Sequence, residues 1–430
     1  MQSIYLITVS VGTPAQNFQL VADTGSSDIW VAGSECPQTV CPVTRFTEAS
    51  SSTYKTDNSI FNITYGVGQA LGIYATDTIT IAGATLTGQQ FGIASSTSNI
   101  YPNVTTTSSS SDNTTYNSTE TGILLEGIFG LAYPSITSAE KAYNPFFFNL
   151  INQKMISNPI FSIFLNSSEN LGNSGQIIFG GEDDTKHTGD VQYLPVTNTE
   201  FSSGSDRSSE TYGFWSVYSQ GFGILNGLKG DVNLETNKPF RLLIDTGTTL
   251  TRIPNDVLSA FILGSVGSDN VAYDQTNGYY QISCSMADTN IMFQVQLTDA
   301  LSMTDNPTIL NIPLRDIIVP MDTYHISTAS VCMLGLAPTD STIILGDSVL
   351  RSFYLVFDAG QNRIGFAPAV GSNATITGKL TSNSSSSTSN SSTSSNSSTS
   401  SNSGSSSSGA AHLQSRTLLS LMFFIVIFLY

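Results

Sequence analysis

Short apolar runs recur along most of the chain, separated by Gly, Asn, Asp and Ser. Several of them alternate between apolar and polar residues at every second position, the spacing of a half-buried β-strand. The pattern predicts an all-β, mostly antiparallel protein with a few short helices. The better helix candidates are Phe146–Lys154 and Asn255–Leu263. The clearest strand candidates are Ile4–Val11, Phe18–Ala22, Ile60–Tyr65, Thr78–Ile81, Gln176–Phe179 and Phe240–Ile244.

Length and charge narrow the class of protein. A chain of 430 residues exceeds one ordinary core, so two lobes of similar size are predicted, residues 1–184 and 185–370. The formal net charge of −17 supplies no basic surface, so a nucleic-acid partner is not expected. Three His, and four Cys without C-x-x-C spacing, favour two structural disulfides over a metal site. Neither a metal nor a cofactor is expected.

The two ends differ in composition from the lobes. Residues 371–417 are predicted to form a disordered, glycosylated stalk because they are rich in Ser, Thr and Asn. Residues 418–430 are apolar but shorter than the about 20 residues of a membrane-spanning helix. They predict a glycolipid (GPI) attachment signal, with Ser407, Ser408 or Gly409 as the acceptor and a weak tail anchor as the alternative. No signal peptide precedes Tyr5, and the natural N-terminus is expected to lie upstream of Met1.

N-x-S/T triplets predict asparagine-linked glycosylation. Single triplets arise by chance in a Ser/Thr-rich chain, but several of these cluster in Ser/Thr tracts. The polar segment Thr105–Thr121 contains two of them and is predicted to be a surface loop insertion. Outside the Ser/Thr-rich stalk, or at its start, the candidates are Asn62, Asn103, Asn113, Asn117, Asn166 and Asn373.

The strongest chemical signal is a motif that occurs once in each half. Leu20–Ser27 reads Leu-Val-Ala-Asp-Thr-Gly-Ser-Ser, and Leu242–Thr249 reads Leu-Leu-Ile-Asp-Thr-Gly-Thr-Thr. One Asp-Thr-Gly triplet is a common turn, but two extended copies that each close an apolar strand are not expected by chance. Each copy is followed further along the chain by two apolar residues and a Gly.

Two carboxyl groups at one site cannot both ionise cheaply, so they share a proton. The ionised group can then take a proton from water while its partner polarises a carbonyl group. Asp23 and Asp245 are therefore predicted to be the catalytic pair.

These motifs and their surroundings resemble the pepsin-like aspartic endopeptidases, from about Tyr5 to Pro368. With its glycosylation triplets and its tail, the chain is similar to the yapsin-type surface proteases of fungi. The segments that carry the resemblance, besides the two motifs, are Val11–Gln16, Asp28–Val31, Ile63–Gly68, Gly346–Asp347 and Phe353–Asp358.

The resemblance implies a bilobal fold with pseudo-twofold symmetry and a monomer that cleaves polypeptides at acid pH. It also implies a secreted, cell-surface or cell-wall location, with a lipid anchor as the only membrane contact. Disulfides would join Cys36 to Cys41 and Cys284 to Cys332.

Supporting roles for the residues around the two Asp follow from the same resemblance. The Thr would tie the two turns together, the Gly would allow close backbone approach, and the hydroxyl residues would donate hydrogen bonds to the carboxylates. These residues are Thr24, Gly25, Ser26, Thr246, Gly247 and Thr248. A mobile flap and an apolar pocket would hold the substrate, formed by Tyr65, Gly66, Val67, Trp30, Val21, Leu125 and Ile128.

Three other functions are weighed against this interpretation. A serine hydrolase is disfavoured because the chain has no G-x-S-x-G motif. A glycoside hydrolase also uses two carboxylates, but it does not predict duplicated Asp-Thr-Gly turns. The main alternative is a non-enzymatic surface glycoprotein built on an inactive protease fold. Both Asp, both neighbouring hydroxyl residues and the flap Tyr are present, which argues against loss of activity.

Overall fold

The computed structural model describes residues 5–101, 125–166, 174–198, 211–275, 278–378 and 425–429. Strands predominate over short helices, which confirms the all-β prediction. The helices are α1 Phe146–Asn152, α2 Asn255–Phe261, α3 Leu314–Ile317 and α4 Asp347–Leu350. The strands of the first half are β1 Leu6–Val11, β2 Gln16–Asp23, β3 Ile29–Ala32, β4 Ile60–Thr64, β5 Gln69–Ile81, β6 Ala84–Ser98, β7 Gly127–Gly130, β8 Ile160–Leu165 and β9 Gly175–Phe179.

The remaining strands belong to the second half and to the C-terminus. They are β10 Gln192–Pro195, β11 Ser216–Leu225, β12 Val232–Ile244, β13 Thr251–Pro254, β14 Val271–Asp274, β15 Tyr279–Ile282, β16 Met292–Thr298, β17 Thr308–Pro313, β18 Ile318–Pro320, β19 Cys332–Leu334, β20 Leu336–Thr339, β21 Ile344–Leu345, β22 Phe353–Asp358, β23 Arg363–Pro368, β24 Thr375–Thr377 and β25 Ile425–Leu429.

Each half of the chain folds around its own main sheet. The first has seven strands in the order β1-β2-β7-β3-β6-β5-β4, and the second has eight in the order β20-β13-β21-β12-β11-β16-β17-β24. A smaller sheet, β14-β15-β19-β18, belongs to the second half. Along β1, buried and half-buried residues alternate, as the sequence pattern predicts for a strand with one face on the core.

The two repeated sequence elements pair with each other in the same way in both sheets. The strand β2 runs parallel to β7, with Asp23 opposite Gly130, and β12 runs parallel to β21. A Cβ atom on Gly130 would lie 2.7 Å from the backbone nitrogen of Asp28, and one on Gly346 would lie 3.0 Å from the carbonyl carbon of Leu250. Glycine at these two positions therefore lets each Asp-Thr-Gly turn cross close over its neighbouring strand.

A six-stranded sheet joins the two halves in the order β10-β23-β22-β8-β9-β25. Its central pair is β8 from the first half and β22 from the second, and these strands are antiparallel. Above it, the buried Trp215 ring packs on Tyr133 with 4.4 Å between ring centroids, and on Phe161 and Phe357 at 5.7 Å and 5.2 Å. The predicted boundary between the lobes near residue 184 stays a prediction.

Both expected disulfides are present, Cys36–Cys41 and Cys284–Cys332. The first closes a short loop just after β3, and the second ties the segment before β16 to β19. Disulfides persist in oxidising compartments, so the chain is a secretory-pathway or extracellular protein.

Predictions for the C-terminal region have different outcomes. The prediction that residues 371–417 form a disordered stalk is wrong for its first residues. Thr375–Thr377 forms β24 and pairs with β17, because its β-branched Thr-Ile-Thr sequence favours a strand. Ile425–Leu429, from the apolar end, forms β25 on the edge of β9. The remaining stalk, the proposed anchor acceptors and Thr105–Thr121 lie outside the described residues. In the described ranges, no helix has both the length and the apolar character needed to cross a membrane.

Candidate active site

The two Asp-Thr-Gly turns meet at the ends of β2 and β12. Asp23 is the last residue of β2, and Asp245 directly follows β12. Both side chains are buried, and their carboxyl groups lie within hydrogen-bonding reach of each other. Two residues that are far apart in the sequence are thus brought to one place by matching strands from the two halves.

Reciprocal hydrogen bonds between two threonines connect the turns. The backbone N–H of Thr24 donates to Oγ1 of Thr246 over 3.2 Å, and the N–H of Thr246 donates to Oγ1 of Thr24 over 3.0 Å. Each hydroxyl group in turn donates to a strand carbonyl in the opposite half, that of Ile244 or Ala22, over 2.8 Å and 2.6 Å. Both threonines are buried, so these four bonds fix the two turns relative to each other.

The carboxyl groups are held by matching donors on each side. The N–H of Gly25 donates to Oδ1 of Asp23 over 2.7 Å, and the N–H of Gly247 donates to Oδ1 of Asp245 over 2.8 Å. Ser26 donates its hydroxyl hydrogen to Oδ2 of Asp23. On the other side, the Thr248 hydroxyl donates to Oδ2 of Asp245 over 2.6 Å.

The two glycines also make room for the opposite carboxyl group. A Cβ atom on Gly25 would lie 2.6 Å from Cγ of Asp245, and one on Gly247 would lie 2.6 Å from Cγ of Asp23. These distances are far below van der Waals contact, so a side chain at either position would push the carboxyl groups apart. The close pairing of the two Asp therefore depends on glycine in both turns.

The environment of Asp23 favours its protonated form. Burial raises the pKa of Asp23 well above its usual range, and the neighbouring charge of Asp245 raises it further. Hydrogen bonds from Ser26 and from the Gly25 amide lower the pKa of Asp23 and so act in the opposite direction. Because like charges at this range repel strongly, the charge of Asp245 acts together with burial to hold a proton on Asp23.

The predicted flap residues lie on the hairpin formed by β4 and β5. The indole nitrogen of the buried Trp30 donates a hydrogen bond of 2.8 Å to the hydroxyl oxygen of Tyr65. Burial and the charge of Asp23 raise the pKa of Tyr65, so its phenol stays protonated. Gly66 and Val67 are exposed at the hairpin tip. The structure thus joins Tyr65 to Trp30 by a direct side-chain hydrogen bond.

Apolar residues pack beside this hairpin. Trp30 belongs to a buried cluster with Phe61 and Ile63, against which Tyr65 and Ile128 also pack. Val21 is the partner of Ile128 across the parallel strands β2 and β7. Leu125 is half-buried three residues before Ile128, and its place in a substrate pocket stays a prediction.

One buried carboxyl group for which the sequence predicts no role is bonded to a tyrosine of β5. Asp28 is fully buried and accepts hydrogen bonds from the hydroxyl groups of Tyr74 and Tyr143 over 2.8 Å and 2.9 Å. Its other oxygen accepts from the Ser138 amide over 2.8 Å. Burial raises the pKa of Asp28 despite these donors. The only signal in the sequence is an acidic residue that directly precedes the apolar strand β3.

A second buried carboxyl group lies behind the other turn. Asp347 begins α4, and burial raises its pKa well above the usual range. The nearby Arg351 charge lowers this pKa, whereas the charges of Asp245 and Asp23 raise it. One oxygen of Asp347 has no hydrogen-bond partner among the described residues. Asp347 therefore adds to the concentration of buried carboxyl groups around the two turns.

The site places a proton donor and a proton acceptor side by side, which suits general acid–base catalysis on a water molecule. In the described part of the chain, no group of three or more His, Cys, Asp and Glu is arranged to hold a metal ion.

The amino-acid sequence is similar to one family model and to individual known proteins along most of its length. A model of the eukaryotic aspartyl protease family matches residues 4–369. Mucorpepsin of Rhizomucor pusillus is 33% identical over 375 residues, which are 85% of this chain and 78% of that protein. Cathepsin E of Mus musculus is 31% identical over 85% of this chain and 80% of its own length. Gastricsin of Cavia porcellus is 31% identical over 86% of this chain and 81% of its own length.

Proposed function

Because the chain belongs to the eukaryotic aspartyl protease family and is thereby an aspartic endopeptidase, we propose that Asp23 and Asp245 are its catalytic pair. The observation that carries this assignment is the meeting of two buried carboxyl groups on matching turns. Each carboxyl accepts hydrogen bonds from one backbone amide and one hydroxyl group. Such a symmetric arrangement orients both carboxyl groups and leaves one proton to be shared.

In the proposed reaction, the ionised carboxyl takes a proton from water, and the water oxygen forms a bond to the carbonyl carbon of the peptide. The protonated carboxyl gives its proton to the carbonyl oxygen, so a neutral diol forms and one proton stays on the pair. In the second step the pair takes a proton from one diol hydroxyl and gives one to the nitrogen. The C–N bond breaks with its electron pair on nitrogen, and the pair again holds one proton.

The substrate is proposed to be a polypeptide bound in an extended form beneath the flap. The Tyr65–Trp30 hydrogen bond supports this role, because it positions the hairpin beside the carboxyl pair. An extended peptide can pair with the hairpin as an added strand, and its apolar side chains can contact Val21 and Ile128. Closing of the hairpin would exclude bulk water from the reacting bond.

Activity is proposed to be greatest at acid pH. The reaction needs one proton on the pair, and the raised pKa of Asp23 extends the pH range over which that proton is held. Loss of the proton at higher pH would remove the acid that polarises the carbonyl group.

Replacing either Asp tests the assignment directly. With a casein-like substrate at pH 3–5, Asp23→Asn and Asp245→Asn should each lower kcat by at least about 10³-fold, since each removes one of the two acid–base groups. A statine-type inhibitor should block the unsubstituted protein. Asp305→Asn, at an exposed carboxyl group outside both turns, is the matched control and should keep full activity. Hydrolysis that persists in either Asn variant of the pair would end the assignment.

A cell-surface or cell-wall location with a GPI anchor remains a proposal supported by the composition of the tail. In a eukaryotic secretory host, phosphatidylinositol-specific phospholipase C should release the full chain from membranes. A chain that stays in the detergent phase after this treatment would count against the anchor.

A further inference from the structure

The outer face of the flap hairpin is unusually apolar for a surface. Side chains of β4 alternate, with Phe61 and Ile63 buried and the residues between them exposed. Ile60 is 78% exposed on β4, Leu71 is 38% exposed on β5, and Val67 is 64% exposed at the hairpin tip. Exposed apolar side chains that lie together on one hairpin favour association with other chains unless they are covered.

The same hairpin also has an open edge. β4 is the last strand of its seven-stranded sheet, and among the described strands it pairs only with β5. An unprotected edge strand offers its backbone groups for pairing with another chain, and natural proteins cover or block such edges. The exposed Ile60 lies on this edge strand, so backbone pairing and apolar contact would reinforce each other.

A glycosylation triplet occupies the middle of this edge. Asn62 and Thr64 are both exposed and lie on the outer face of β4, since residues two apart in a strand share a face. Asn62 is the cross-strand partner of Leu71, and Ile60 lies two residues before it on the same face. The Asn62 side-chain oxygen accepts a 2.8 Å hydrogen bond from Gln69, while the side-chain nitrogen is the atom that receives a sugar.

We propose that Asn62 carries an N-linked oligosaccharide that covers the apolar outer face of the flap hairpin and blocks the open edge of β4. The inner face, with Phe61, Ile63 and Tyr65 directed toward Trp30, packs in a buried cluster and needs no such cover. A bulky polar group at Asn62 solubilises the hairpin without entering the cleft, because the two faces of a strand point in opposite directions. The inference rests on passage through the secretory route, which the two disulfides indicate, and not on the catalytic assignment.

Occupancy of Asn62 is measured by removing N-glycans enzymatically in H₂¹⁸O and mapping peptides of the secreted chain by mass spectrometry. Asn62 should convert to ¹⁸O-labelled Asp. Asn373, which is exposed in the described structure together with the hydroxyl residue of its triplet, Thr375, reports whether triplets of the same chain are glycosylated. An unmodified Asn62 beside a modified Asn373 overturns the proposal alone. If both are unmodified, the proposal is overturned as well, because a secreted chain has passed through the glycosylating compartment.

Two pairs of variants test whether the oligosaccharide at Asn62 prevents the chain from self-associating. Asn62→Gln and Thr64→Val each destroy the triplet by a different change, whereas Thr64→Ser preserves it. The first two should lose the mass of one oligosaccharide and self-associate at lower protein concentration in analytical ultracentrifugation, and Thr64→Ser should match the unsubstituted chain. Asn373→Gln controls for loss of a glycan elsewhere. Cleavage of a short peptide should stay unchanged in Asn373→Gln, which lies outside the flap hairpin. Triplet-free variants that remain as monomeric as the parent would overturn the shielding role.

Discussion

At the residue scale, a hydrogen bond and burial act in opposite directions on the pKa of Asp23. Ser26 donates to Asp23 and lowers its pKa, against the larger effect of burial. A hydroxyl group that donates to a carboxylate stabilises the ionised form, so its removal makes the proton harder to lose.

Ser26→Ala should therefore raise the pKa of Asp23 further. The alkaline limb of the kcat/KM profile reports loss of the shared proton, and we expect it to move to higher pH in this variant. The measurement is kcat/KM for one peptide across pH 3–8. The same profile is measured for Thr248→Ala, which removes the matching donor to Asp245, and is compared with that of Ser26→Ala. A shift of the alkaline limb to lower pH in Ser26→Ala would contradict the expected direction.

The residues of the two turns could be predicted because they repeat at fixed spacing. Asp, Thr, Gly and a hydroxyl residue follow one another twice, and the structure brings both copies together as expected. The role of Asp28 could not be predicted, because its partners Tyr74 and Tyr143 lie 46 and 115 residues away in the chain. Contacts between isolated, distant residues carry no local pattern.

At the element scale, the Tyr65–Trp30 bond holds the flap hairpin to the body of its lobe. Tyr65→Phe removes the acceptor and leaves the buried indole N–H unpaired, which costs about 1–3 kcal/mol. We expect a lower melting temperature and a lower kcat/KM for peptides, with short peptides affected as strongly as long ones. Tyr279→Phe, at a half-buried position on β15, should change neither quantity. If Tyr65→Phe and Tyr279→Phe have the same melting temperature and the same kcat/KM, the hairpin does not depend on this bond.

The two disulfides close segments of very different length. Cys284–Cys332 spans a sequence separation of 48, and Cys36–Cys41 spans 5. In the chain-entropy account, a longer closed segment restricts the unfolded state more. Replacing both Cys of one disulfide by Ala should lower the free energy of unfolding. The loss should be about 4 kcal/mol for Cys284–Cys332 and about 2 kcal/mol for Cys36–Cys41. Denaturant unfolding of the two double variants measures the difference, and equal losses would contradict it.

Individual strands and helices could largely be read from the sequence, although their limits could not. The helix predicted for Asn255–Leu263 forms as α2 and continues into a π-helical turn at Ile262–Val266. Thr375–Thr377 was predicted to be part of a disordered stalk, but pairing with β17 makes it a strand. Such an edge strand depends on a partner far along the chain, so its own three residues give too weak a signal.

At the scale of the whole molecule, buried carboxyl groups link stability to pH. Burial raises the pKa of Asp23, Asp28 and Asp347 above the unfolded value of about 4. The folded state therefore keeps these protons to higher pH than the unfolded state does. Their stabilising effect is complete below the unfolded pKa and is lost as pH rises through the folded pKa. The formal net charge of −17 at pH 7 adds repulsion in the same direction.

We accordingly expect a higher melting temperature at pH 4 than at pH 7. Asp57, Asp183 and Asp322 have lowered pKa values and oppose this trend. Asp57 and Asp322 are exposed and Asp183 is only partly buried, so solvent screens their charges and they contribute little. Thermal unfolding followed by tryptophan fluorescence from pH 4 to pH 7 measures the dependence. Asp347→Asn removes one of the titrating groups and should reduce the difference. A melting temperature that rises toward pH 7 would show that other groups dominate.

The two-lobed architecture could be anticipated from the duplicated motif, but the connection between the lobes could not. The joining sheet combines β8 and β9 with β10, β22 and β23, which lie well apart in the sequence. Apolar runs identify each as a buried strand, yet nothing in a single run specifies which partner it takes. Trp215 gives no hint in the sequence that it packs against rings from both halves.

The crossed threonine bonds constrain how this enzyme can be re-engineered. Hybrids that combine one lobe with the opposite lobe of a relative will retain the central geometry only if the backbone on both sides still accepts these bonds. Libraries built for altered cleavage preference should accordingly keep Thr24 and Thr246 unchanged, together with the strand ends to which they donate hydrogen bonds. Diversity belongs in the surrounding cleft walls, where a change in one lobe imposes no matching change in the other.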